Sequence, residues 1–119
     1  MPDPALVDTF RSARQAYERA RQALVPLLER MALESVADVL PGADTLELYG
    51  EYNEDSIPVL RIQRVIDTSG SKLFDATEGH DEPNVEDTID MVDTEYLYLL
   101  IDLTGDEYLG NKTIDRGGQ

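Results

Sequence analysis

Between Asp75 and Glu82 the chain gathers four carboxylates, Asp75, Glu78, Asp81 and Glu82, around its only histidine, His80. Hard divalent cations take oxygen ligands from loops of this kind, which makes the 75–82 segment a candidate cation-binding loop. A calcium loop, however, needs acids at alternate positions, a central glycine and a terminal glutamate, and this spacing does not supply them. His80 could act as a general base, but no second histidine, nucleophilic serine motif or glycine-rich phosphate loop accompanies it. Twenty-five acids in 119 residues make some pair of neighbouring carboxylates unavoidable, so pairing alone carries no argument for hydrolase chemistry. The chain has no cysteine, hence no disulfide, thiolate metal site or cysteine nucleophile. These residues predict a protein that is not an enzyme and has no catalytic residues, no dedicated metal site and no cofactor.

The acids are better read as a surface. From Leu73 to Asn111 there are twelve acidic side chains and no Lys or Arg, and this run carries most of the net charge of −15. Residues 1–40 hold five Arg against six acids, while residues 41–119 hold five basic residues against nineteen acids. The acidic surface therefore belongs to the second part of the chain, and the N-terminal part is open to packing or self-association. Such a surface repels nucleic acid phosphates and anionic headgroups, so neither direct nucleic acid binding nor membrane binding is expected. No apolar run approaches the length needed to span a bilayer and the start of the chain is not a secretory signal, which predicts a cytoplasmic protein.

One α+β domain is expected over residues 1–119: helical over 1–40, a β-meander over 45–75, a short helix over 84–94 and strands over 96–115. Leu6, Phe10, Ala13, Tyr17, Ala20, Leu24, Leu27 and Met31 recur in steps of four and three and form one stripe of a helix. Because two positions are Ala and Pro26 interrupts the run, packing against the sheet is favoured over a coiled-coil seam. Pro26 either kinks one long helix or opens a second, whose apolar face continues through Leu28, Met31, Ala32, Val36 and Val39. From Thr45 the period changes to two, giving a hairpin turning at Asn53–Ser56 and a short terminal strand at Lys72–Asp75. Asn84 reads as the cap of a short amphipathic helix with Glu86, Asp87, Asp90 and Asp93 on its outer side. Leu97, Leu99, Ile101 and Leu103 alternate with Tyr98 and Leu100, which predicts a central strand over Tyr96–Thr104 buried on both faces. Lys112–Asp115 adds an edge strand before a Gly-rich tail. The long helix thus backs a four- or five-stranded antiparallel sheet, with a short acidic helix inserted before the central strand.

Three functional readings follow. In the first, the acidic surface docks a basic partner protein, with Glu86, Asp87, Asp90, Asp93, Asp81 and Glu82 as the charged contacts and Tyr98 and Tyr108 as anchors. Inhibitors of toxins and nucleases work in this way, and carboxylates that substitute for phosphates would extend it to nucleic-acid mimicry of an anti-restriction or anti-CRISPR kind. In the second, acidity serves solubility and an apolar surface does the binding. The order of elements resembles that of bacterial secretion chaperones and related adaptor domains, without the closing C-terminal helix of that fold. That resemblance implies a homodimer holding partners in an apolar groove. The third is divalent-cation binding by the 75–82 loop.

Overall fold

The fold, described over residues 1–116 of a computed structural model, is a two-layer α+β arrangement; the Gly-rich tail Gly117–Gln119 lies outside the described residues. Helix α1 (Pro4–Val39) starts where the Asp3 carboxylate accepts a hydrogen bond from the Ala5 N–H and Pro4 supplies the pre-set first turn. It continues through Pro26 as one 36-residue helix, so the proline does not open a second one. Strands β1 (Ala43–Tyr52), β2 (Pro58–Asp67), β3 (Lys72–Asp75) and β4 (Gly110–Asp115) form one antiparallel sheet in the order β3-β2-β1-β4. The expected hairpin, its Asn53–Ser56 turn and both short edge strands are present. At the turn the Asn53 side-chain oxygen accepts from the Asp55 and Ile57 N–H groups, and at the next the Asp67 carboxylate accepts from Ser69 and Ser71.

The stretch Tyr96–Thr104 is not a central strand. It is helical, and continues from α2 (Pro83–Met91) through a π-helical segment (Val92–Leu97) into α3 (Tyr98–Thr104) as one rod. The helix expected over 84–94 is therefore longer, begins at Pro83 and ends at Gly105, whose φ of 65° stops it. Central place in the four-stranded sheet goes to β1 and β2. Val85, Ile89, Val92, Leu97, Leu100 and Ile101 of the rod are buried against Leu46, Leu48, Leu60, Ile62 and Val65 of the sheet and Leu28, Ala32, Leu33 and Val36 of α1. Both helical elements cover the same face of the sheet.

The apolar stripe of α1 does not pack on the sheet. Leu6, Phe10 and Tyr17 are 63%, 62% and 59% exposed, and Leu24, Leu27 and Met31 are 45%, 54% and 44% exposed. The helix has two apolar faces. At 100° per residue the half-buried Val25 and the buried Leu28, Ala32 and Val36 lie about 100° around the axis from the stripe. Towards the N-terminus the body-facing side becomes Arg14, Glu18, Arg21 and Gln22, which cannot line a core. Core contacts therefore cease near Val25, and α1 runs on as an arm that stretches the molecule to 62 × 34 × 22 Å. Arg21 fixes the arm's base, donating to the Leu103 carbonyl at 2.7 Å near the end of α3 and to Glu18 at 3.2 Å.

Candidate functional site

Asp87, Asp90, Thr94, Glu95, Tyr98, Leu99 and Asp102 are all exposed, at helical spacing along one outer side of the rod. Tyr98 (56% exposed) and Leu99 (46% exposed) form an apolar centre, and every charge around them on the rod is a carboxylate. Beside them, a groove of about 540 Å³ runs between the rod and β2, lined by Ile57, Leu60, Arg61, Asp90, Asp93 and Tyr98 among others, so that its one basic side chain comes from the strand and not from the rod. It exists because β3 pairs only with Arg64, Val65 and Ile66, so β2 runs on past its neighbour from Pro58 to Ile62. A larger hollow of about 620 Å³ lies on the uncovered face of the sheet. Its Glu47 is engaged by Arg64 at 2.6 Å and Lys112 lines it too, so it lacks the one-sided charge of the rod.

Asp93 and Glu86 are structural as well as acidic. The Asp93 carboxylate accepts the Ile62 N–H at 2.9 Å, satisfying a strand donor where β3 has ended. Burial pushes its pKa up to about 7, against the opposing pull of the Ile62 N–H and the Arg61 charge. Because the folded state holds this proton more tightly than the unfolded chain does, stability attributable to Asp93 falls as pH rises from about 4 to about 7. Asp93→Asn keeps an oxygen acceptor for Ile62 and removes the titration. Thermal melts at pH 8 will show the variant more stable than the parent, by about 2–4 kcal/mol at most, with the difference shrinking to nothing near pH 4. Equal melting at both pH values would mean that Asp93 is not desolvated.

The loop before α2 is also internally bonded. Glu86 accepts the His80 N–H at 2.6 Å, and the His80 imidazole Nδ1 accepts the Glu82 N–H at 3.1 Å. Asp75 accepts from the Thr77 hydroxyl and N–H, and Lys72 bridges Asp75 at 3.0 Å and Glu78 at 2.7 Å. The threonine bonds and the Lys72 charge hold the Asp75 carboxyl far below the usual carboxylate range. Among the described residues no cluster of three or more His, Asp or Glu side chains is placed to hold a metal ion. Among the described residues no helix is long and apolar enough to cross a membrane.

Of the residues singled out in the sequence, Asp87, Asp90, Asp93 and Tyr98 come together along the rod and its groove. Asp81 and Glu82 are exposed on the loop ahead of it. Tyr108 stands apart: half-buried, it donates its hydroxyl to Glu29 on α1 at 3.0 Å, and burial with that carboxylate raises its pKa far above the ordinary tyrosine value. Glu95, Leu99 and Asp102 were missed. Their signal was the helical spacing from Asp87 onward, hidden by reading 96–104 as a strand. No family model matches the chain, and no curated protein or solved structure matches it.

Proposed function

We propose that the protein is a non-catalytic interaction module that binds a basic partner protein on the outer face of the 83–104 rod. The observation carrying this reading is the exposed Tyr98–Leu99 pair framed by Asp87, Asp90, Glu95 and Asp102, with no cation on the rod. An apolar centre inside a charged rim is the anatomy of a protein interface, in which the buried aromatic supplies most of the affinity and the rim supplies steering and selectivity. The surface differs from the expected one in composition: Asp93 and Glu86 serve the fold first, while Glu95, Leu99 and Asp102 join the contact set. Inhibition of a toxin or nuclease, including by nucleic-acid mimicry, is a form this binding can take.

Capture from lysate at about 50 mM and about 300 mM salt tests it, comparing the parent with Asp87→Asn/Asp90→Asn/Glu95→Gln/Asp102→Asn and with Tyr98→Ala/Leu99→Ala. A partner is expected that the parent holds at low salt, that the charge variant releases first, and that the apolar variant fails to hold at either salt. Competition by added nucleic acid would assign the partner to the nucleic-acid-binding class. Equal capture by all three proteins would remove the rod from the interface and end this reading.

A further inference from the structure

We infer that the exposed stripe of α1 is a self-association seam, occupied by the same stripe of a second copy of this chain running antiparallel. From Leu6 to Met31 eight positions recur in unbroken steps of four and three, the spacing that keeps two supercoiled helices in contact. The next positions of the repeat are Asp3 and Glu34, both exposed, so the seam ends at each side on a charge. Its six large side chains are 44% to 63% exposed. Together they leave on the order of 700 Å² uncovered, more than the largest apolar patch of an ordinary monomer and close to one side of a standard interface. A helical arm whose core contacts stop near Val25 also has little else to hold it, and isolated helices are marginal in water.

Side-chain size sets the direction. Phe10, Tyr17, Leu24 and Met31 alternate along the seam with Leu6, Ala13, Ala20 and Leu27. An antiparallel pair with its two-fold between Glu18 and Arg19 sets Tyr17 against Ala20 of the second copy and Leu24 against Ala13. Phe10 meets Leu27 and Met31 meets Leu6 in the same register, which uses all eight positions and keeps the layers even. A parallel pair would stack Ala13 on Ala13 and Tyr17 on Tyr17, alternating voids with crowding.

Charge points the same way. Residues 1–24 hold four Arg against Asp3, Asp8 and Glu18, a net of +1, which leaves −16 for residues 25–119. Antiparallel pairing puts the two acidic bodies at opposite ends and lays each basic arm towards the other's body, whereas parallel pairing sets the bodies side by side. The nearest like charges, Arg14 and the second copy's Arg21, are softened because Arg21 is already paired with Glu18 at 3.2 Å. The seam shares no residue with the acidic rod.

Sedimentation from about 1 to about 100 µM tests the seam. The parent is expected at twice its 13.3 kDa mass, and Tyr17→Glu/Leu24→Glu at the monomer mass with an unchanged NMR spectrum for the sheet and rod. A parent that stays monomeric throughout, or a charge variant that still dimerises, overturns the seam. Direction is read separately, since the chain has no native cysteine. Oxidation is expected to link Ala13→Cys/Leu24→Cys chains into covalent dimers and to leave the Ala13→Cys chain unlinked. Rapid linkage of the Ala13→Cys chain alone would overturn the antiparallel register.

Discussion

Replacing Leu100 by alanine will lower the free energy of unfolding by about 2–5 kcal/mol, while the same change at Leu99 will cost less than about 1 kcal/mol. Leu100 is fully buried in α3 beneath the sheet, and its loss leaves a cavity among side chains that have little room to collapse. Leu99 is 46% exposed on the outer side of the same helix and gives up little burial. The pair separates two backbone conformations. In a strand, Leu97, Leu99, Ile101 and Leu103 would share one face, and both neighbours in a doubly covered strand would be costly to truncate. Urea unfolding of the two variants measures the difference directly, provided the denaturant slopes match that of the parent. Two large and similar losses would contradict the helical rod. Leu99→Ala should instead weaken partner capture, since its side chain belongs to the proposed interface.

Gly50→Ala is expected to be comparably damaging, by about 3 kcal/mol or more, although it adds a single methyl group. Gly50 lies in β1, paired with Leu60 on β2 and Gly110 on β4. A Cβ there would run into the Tyr108 carbonyl oxygen, with the Tyr108 carbonyl carbon at 2.9 Å and the Leu109 Cα at 3.1 Å. These are backbone atoms, so no side chain can swing away to make room. The segment that must yield leads into β4, and Tyr108 also donates to Glu29 on α1. Hydrogen exchange should therefore show lost protection in β4 before the β1–β2 hairpin. A variant that melts like the parent would mean that the 105–109 turn can shift at no cost.

The β half of this fold was legible because its signals are local. Leu46, Leu48, Leu60 and Ile62 alternate with polar residues, and Asn53 and Gly70 sit at the turns; all four leucines and isoleucines are in the core. The rod was not legible past Thr94, for a specific reason. Val85, Ile89, Val92 and Tyr96 keep helical steps, but the π segment inserts an extra residue per turn and hands the buried side to Leu97, Leu100, Ile101 and Thr104. Across that phase jump the apolar run also fits a period of two. The absence of Gly or Pro between Asn84 and Gly105 was the overlooked clue to continuity. On α1 the stripe was visible and its destination was not, because a second apolar face at Val25, Leu28, Ala32 and Val36 takes the body. Of the proposed binding surface, Asp87, Asp90 and Tyr98 were legible as residue types. The role of Asp93 at the Ile62 N–H was not, since it depends on how short β3 is.

The placement of β4 beside β1 has a bearing on how the molecule is made. Leu46 pairs with Ile114, so the inner strand cannot gain its second neighbour until nearly seventy intervening residues have been synthesised. Loop closure over such a span is slow, and contacts of this separation delay folding more than they weaken the finished fold. While a nascent chain waits, β1 offers an unpaired edge next to Leu46 and Leu48, and any cellular factor that shields exposed strands has that interval in which to act.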